Sequence, residues 1–261
     1  MKHVRVGGGE RTRVGYDAAS REAFIDRQHY LTDPDFAHIP TQRLLSPEHG
    51  RQQAARIHMD RRADALPPLP PGGDTIWLGA VDAAGNAVSL IQSIYHEFGS
   101  GVVADNAGFV LQNRGCAFAL DPRHVNCLLP GKRTLHTLTP AMLLKDGQPH
   151  LVYGSMGGDG QPQTLAAVFD RIVYQNMTPQ AAITAPRWLL GRTWGESSDT
   201  LKIESRHRAA TTDTLKQYGH DVEIYPPYDD LMGHAGAILR HRNGMLEGGS
   251  DPRSDGGVAR W

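Results

Sequence analysis

The chain has 261 residues, enough for one large domain or two small ones with a buried core. Its 27 Lys and Arg balance 28 Asp and Glu, so no basic footprint for nucleic acid or a membrane surface is present. Two cysteines, Cys116 and Cys127, cannot make a disulfide framework, and no apolar run approaches the ~18 residues of a membrane span.

The start, Met1 to Gly9, lacks the apolar stretch of a signal peptide, which predicts a cytoplasmic protein; its glycines read as a loop or tag. Tyr16 to Tyr30 predicts a helix, with Ala19, Ala23, Phe24 and Arg27 at helical spacing, broken by Asp33-Pro34-Asp35. A second, solvated helix is predicted from Ser46, a cap followed by Pro47, toward Ala65. Pro67 to Gly73 is the clearest boundary in the chain.

Strands follow. Ile76–Asp82 and Ala87–Tyr95 flank Ala83-Ala84-Gly85, a three-residue loop in which Gly85 supplies the left-handed position. That loop pairs Asp82 with Asn86, and counting back places Thr75 opposite Ser93. Further strands are expected at Gly108–Gln112, Ala141–Lys145 and His150–Tyr153. The glycine loop Gly154–Gly160 then feeds a helix with Pro162 in its first turn and Leu165, Val168, Phe169, Ile172 and Val173 on one face. A helix at Ala209–Tyr218 closes on Gly219; strands at His220–Tyr225 and Ala235–His241 follow, the latter turning at Asn243-Gly244. Stacked sheets with covering helices account for this order, an α+β fold.

Three features carry chemistry. A threonine becomes a nucleophile with its own base if the bond between Asp74 and Thr75 is cut, because cleavage frees an α-amine on the residue that bears the hydroxyl. The alternative reading of Thr75 is an ordinary β-former, and of Thr75 with Ser93 a polar cross-strand pair. Gly157 and Gly158, before a helix, present backbone N–H groups suited to an oxyanion. No HExxH, CxxC or P-loop lysine occurs, so neither a metal nor a nucleotide cofactor is expected. His96-Glu97, His234 and His241 read as ordinary polar residues.

The stretch TIWLGAVDAAGNAVSLIQSIYHEFGSG from Thr75 to Gly101 resembles the opening of the small subunit of γ-glutamyltransferases. The likeness continues through LQNRG at Leu111–Gly115, PGKRTLHTLTPAM at Pro130–Met142, YGSMGGDGQPQT at Tyr153–Thr164 and SDPRSDG at Ser250–Gly256. Upstream, REAFIDRQHYLTDPDF at Arg21–Phe36 resembles the end of that family's large subunit. The resemblance implies a self-cleaving N-terminal-nucleophile (Ntn) hydrolase with an αββα sandwich, partial here because much of the large subunit has no counterpart. Residues 1–74 would be the end of the large subunit with its Pro/Gly linker, and 75–261 the small subunit. It further implies a separate large-subunit chain, or a heterodimer after self-cleavage.

By resemblance, Thr75 is the nucleophile, Ser93 its supporting hydroxyl, Asn113 a residue lining the substrate pocket, and Gly157 and Gly158 the oxyanion pair. Where the family holds a glutamyl α-amine, this chain has Tyr95, Arg114, Ala117, His136 and Thr137. Arg114 repels an ammonium and suits a carboxylate. Together with GRTWG (Gly191–Gly195) and MGHAGAI (Met232–Ile238), this resembles the oxamate amidohydrolase branch and implies a small carboxylate-bearing amide as substrate. Glutathione hydrolysis or γ-glutamyl transfer, an inactive unprocessed fragment, and an anion-binding module remain as alternatives.

Overall fold

The computed structural model describes residues 10–63, 75–191 and 198–260. The glycine-rich start, the Pro67–Asp74 stretch with the Asp74 side of the expected cleavage, and most of the GRTWG motif lie outside them.

Helix α1 spans Glu10–Tyr30, one and a half turns longer at its start than the periodicity predicts. It buries Ala18 and Phe24 beside Asp17 and Arg21. Asp33 in the break accepts from the Arg133 side chain and backbone N–H, which holds its carboxyl far below the ordinary carboxylate range. A short helix α2, Thr41–Leu44, precedes α3, Pro47–Arg56, where the Ser46 hydroxyl accepts from His49 N–H (3.1 Å). The predicted extension of α3 to Ala65 is not made. It buries only His49, so no tertiary packing holds a further turn, and Ile57 is extended.

Strands β1 (Ile76–Val81) and β2 (Ala87–Gln92) form an antiparallel hairpin. Gly85 has φ +87°, Asp82 N–H donates to Asn86 O (3.0 Å), and Ile76 pairs with Gln92. The register is the one the turn predicts. Strands β3 (Ala141–Lys145) and β4 (Gln148–Ser155) begin a four-stranded antiparallel sheet, ordered β3-β4-β8-β9, with β8 Ala235–Arg240 and β9 Leu246–Ser250.

One face of that sheet meets α4 (Gln161–Val173) and α5 (Pro179–Thr184). Leu151, Ala235 and Ala237 from the sheet pack there with Val168, Ile172, Ala182 and Ile183, the largest buried apolar cluster among the described residues. The other face meets the hairpin, and because side chains alternate along a strand, the residues between those core positions face it. Two of these are Gly154 and Gly236, and the indole of Trp77 occupies the space they leave. A methyl group at either would overlap the ring. The layers are therefore helix, sheet, hairpin, consistent with a partial αββα stack. The hairpin's outward residues Ile76, Leu78, Val88 and Leu90 stay exposed, Ile76 by 61%.

A smaller sheet joins β5 (Trp188–Leu190) antiparallel to β6 (Leu201–Glu204), and β6 parallel to β7 (Val222–Tyr225). Helix α6, Ala209–Gln217, buries Leu215 against Trp188, Leu201 and Ile203. The predicted strand Gly108–Gln112 is instead loop: Val110 bridges to Val103, and Phe109 and Leu111 exchange backbone hydrogen bonds with Ala104, Val102 and Ser100, a loop-to-loop pairing that no sheet extends.

Candidate active site

Thr75 is buried at the head of β1, and its Oγ1 is 2.9 Å from Ser93 Oγ, just past the end of β2. The Ser93 hydroxyl also accepts from Tyr95 N–H (3.0 Å) and from Arg114 Nη2 (3.0 Å). Thr75 Oγ1 is the donor in the hydroxyl pair, so the Ser93 oxygen gathers hydrogen bonds from Thr75, Tyr95 and Arg114 at one point.

The backbone that delivers these groups is constrained. Tyr95 has φ +79°, a left-handed conformation costing a side-chain-bearing residue about 1–3 kcal/mol. Asn113 clips the segment: its Oδ1 accepts from His96 N–H (2.9 Å) and its N–H donates to Ile94 O (3.1 Å). The next residue, Arg114, opens a 3₁₀ turn through Ala117 and is buried. Its guanidinium lies 4.8 Å from the Tyr95 ring centroid and donates to Thr137 Oγ1 at 3.5 Å. Burial lowers the Arg114 pKa, with Tyr95 and Cys116 opposing. Burial and then the Arg114 charge push His136 below its ordinary value, which favours the neutral imidazole.

Thr75, Ser93, Tyr95, Arg114 and Thr137 are thus linked by contact, and His136 lies within the field of Arg114. Asn113 serves the backbone through its Oδ1. Ala117 closes the turn that Arg114 opens. Gly157 (φ +130°) and Gly158 (φ +49°) follow Met156, which lines the same cleft of about 630 Å³ as Thr75, Trp77, His234 and Ser254.

The glycine loop is held from several sides. Arg27 Nη1 donates to Asp159 Oδ1 (2.6 Å), Thr139 N–H and Oγ1 donate to Gln161 Oε1, Gln163 exchanges hydrogen bonds with Leu190, and Thr164 Oγ1 donates to Met232 O. Sequence reasoning passed over these clamps; the signal was the run of polar residues, Asp159, Gln161, Gln163 and Thr164, inside an otherwise apolar motif. The Ser250–Gly256 motif is a second anchor. Asp251 receives Arg187 and Ala235 N–H, and Arg253 makes a two-point pair with Glu204. Burial draws the Arg187 pKa down to about 10 against the pull of Asp251. This network seats the following residues, Ser254 to Ala259, along the cleft.

Among the described residues no group of three or more His, Cys, Asp or Glu is placed to hold a metal ion, and no helix is long and apolar enough to cross a membrane.

The family model described as Gamma-glutamyltranspeptidase matches residues 15–261. The chain is 53% identical to an oxamate amidohydrolase proenzyme of Klebsiella pneumoniae subsp. pneumoniae, over 93% of this chain and 46% of the relative. It is 50% identical to the glutathione hydrolase-like YwrD proenzyme of Bacillus subtilis, over 91% and 45%. Among solved structures it resembles a cephalosporin acylase from Bacillus halodurans, with TM-score 0.84 and 36% identity over 97% of this chain and 46% of that one. A gamma-glutamyltranspeptidase from Pseudomonas nitroreducens gives TM-score 0.60 and 28% identity over 71% and 98%. The chain spans about half the length of the curated relatives it matches.

Proposed function

The chain belongs to the gamma-glutamyltranspeptidase family of Ntn hydrolases, and from that premise we propose that it is the nucleophile-bearing part of a threonine amidohydrolase acting on a small amide that carries a carboxylate, of the oxamate type. The observation that carries the reading is the hydrogen-bonded line Thr75–Ser93–Arg114, which joins a nucleophile to a buried cation.

In this reading, cleavage before Thr75 frees its α-amine, which takes the Oγ1 proton as the oxygen attacks the amide carbonyl. The Ser93 hydroxyl then donates to the oxygen that has lost its proton. The Gly157 and Gly158 N–H groups receive the developing oxyanion. The proton passes from the α-amine to the departing nitrogen, ammonia leaves, and water releases the acid from the Thr75 ester. Arg114 binds the substrate carboxylate, a role that a buried guanidinium beside hydroxyls fills and that an ammonium-bearing substrate would oppose. The remaining half of the relatives' length, as a large subunit, covers the exposed Ile76, Leu78, Val88 and Leu90. A second reading, glutathione hydrolysis, draws on the 50% identical glutathione hydrolase-like relative.

Intact mass and substrate kinetics test the proposal together. The expected result is a split into 1–74 and 75–261, abolished by Thr75→Ala, with oxamate hydrolysed in preference to glutathione. Arg114→Gln should raise the KM for oxamate by about tenfold or more, the loss of one charged hydrogen bond. A chain that stays whole and matches its Thr75→Ala variant on every amide overturns the enzyme reading. Preference for glutathione replaces the substrate assignment with the second reading.

A further inference from the structure

The glycine loop that would hold the oxyanion is tied by charge to a residue far upstream of the expected cleavage point. Asp159 follows Gly157 and Gly158 directly and sits in the 3₁₀ turn that leads into α4. Its carboxylate is almost fully buried, with a side-chain exposure of 2%, and Arg27 from α1 reaches it at 2.6 Å. The Arg27 side chain is itself mostly buried, and its guanidinium lies 4.5 Å from the Phe24 ring centroid, so the aromatic ring fixes the direction from which it approaches. A buried carboxylate needs such a partner, and the pair loses its purpose when one member is removed. Gly157 and Gly158 both hold positive φ, and of the restraints that hold this backbone the Arg27–Asp159 pair acts on the residue immediately after them.

We propose that Arg27 is a positioning residue for the oxyanion loop: through Asp159 it sets the orientation of the Gly157 and Gly158 N–H groups, and it makes α1 part of the working site after the bond before Thr75 is cut. This rests on the reading of those two glycines as oxyanion donors.

Arg27→Met keeps the contact with Phe24 and removes the charge; Asp159→Asn keeps the shape of its side chain. Each should lower kcat on oxamate by about 10²-fold, the scale of a misplaced catalytic group, with KM changed less than threefold. The double variant should be no slower than the slower single, and Arg27→Lys should recover part of the rate. Hydrogen exchange in the 154–164 segment gives a readout independent of activity: it should quicken in Arg27→Met and Asp159→Asn and return toward wild type in Arg27→Lys. If exchange there is unchanged, or if the two single effects multiply in the double variant, Arg27 does not act through Asp159. A wild-type chain with no amidase activity would sink the function reading, and exchange in the loop would still decide whether Arg27 orients it.

Discussion

On its inner face the β1–β2 hairpin places Trp77 in the space left by Gly154 and Gly236, with the indole N–H donating to Ser89 Oγ at 2.9 Å. On its outer face Ile76, Leu78, Val88 and Leu90 stay exposed, with no second layer packed over them among the described residues. The same two strands therefore carry one face fitted to a neighbour and one apolar face left bare. An alternating strand normally places polar residues on its open side. Here both sides are apolar, the pattern of strands made to be covered twice, and it accords with a chain spanning about half of its relatives.

The strongest break of this contrast is Gly154→Ala. The added methyl overlaps Trp77 and should destabilise the chain by about 3 kcal/mol, read as a fall in the urea midpoint. Acid should weaken the fold as a whole to a smaller extent. His220 is buried where α1 and α6 meet; burial lowers its pKa, Asp17 and Asp199 raise it, and Arg21 and Arg62 lower it. His136 is lowered in the same direction. The unfolded chain takes up protons near pH 6.5 that the folded form refuses, so this stability is intact above that range and lost as pH falls below it. The urea midpoint should drop between pH 7.5 and 5.5, and His220→Gln should flatten the slope; an equal slope in the variant would clear His220 of that role. The smallest effect belongs to the bare face. Leu78→Ser and Leu90→Ser should each change stability by less than about 0.5 kcal/mol. A loss as large as that of Gly154→Ala would mean that the outer face is already covered in solution.

The hairpin was legible because its register hangs on one short loop: with Gly85 left-handed, the Thr75–Ser93 pairing follows by counting. The strands Trp188–Leu190 and Leu201–Glu204 were not, because every residue in them is buried and no alternation marks them. Strand Leu246–Ser250, with two glycines, has weak strand character of its own and exists through its pairing with β8. Helix α5 was readable and missed: Thr178 caps it by accepting from Ala181 N–H, and Pro179 stands at its first position. At the candidate site the sequence pointed to Arg114 as a cation, but not to its hydrogen bond with Ser93, which depends on the left-handed turn at Tyr95. The Arg27–Asp159 pair joins residues 132 positions apart, a separation that no local pattern reports.

Trp77 also limits how the hairpin can travel. A flat strand can slip along its neighbour by two residues and still present the same face. An indole lodged over two glycines of adjacent strands has no second berth, since Val152 and Ile238 are the next residues along the face it meets. The ring works as an index pin, and Thr75, two residues earlier at the head of the strand, inherits a fixed address along the sheet whether or not the chain before it has been severed.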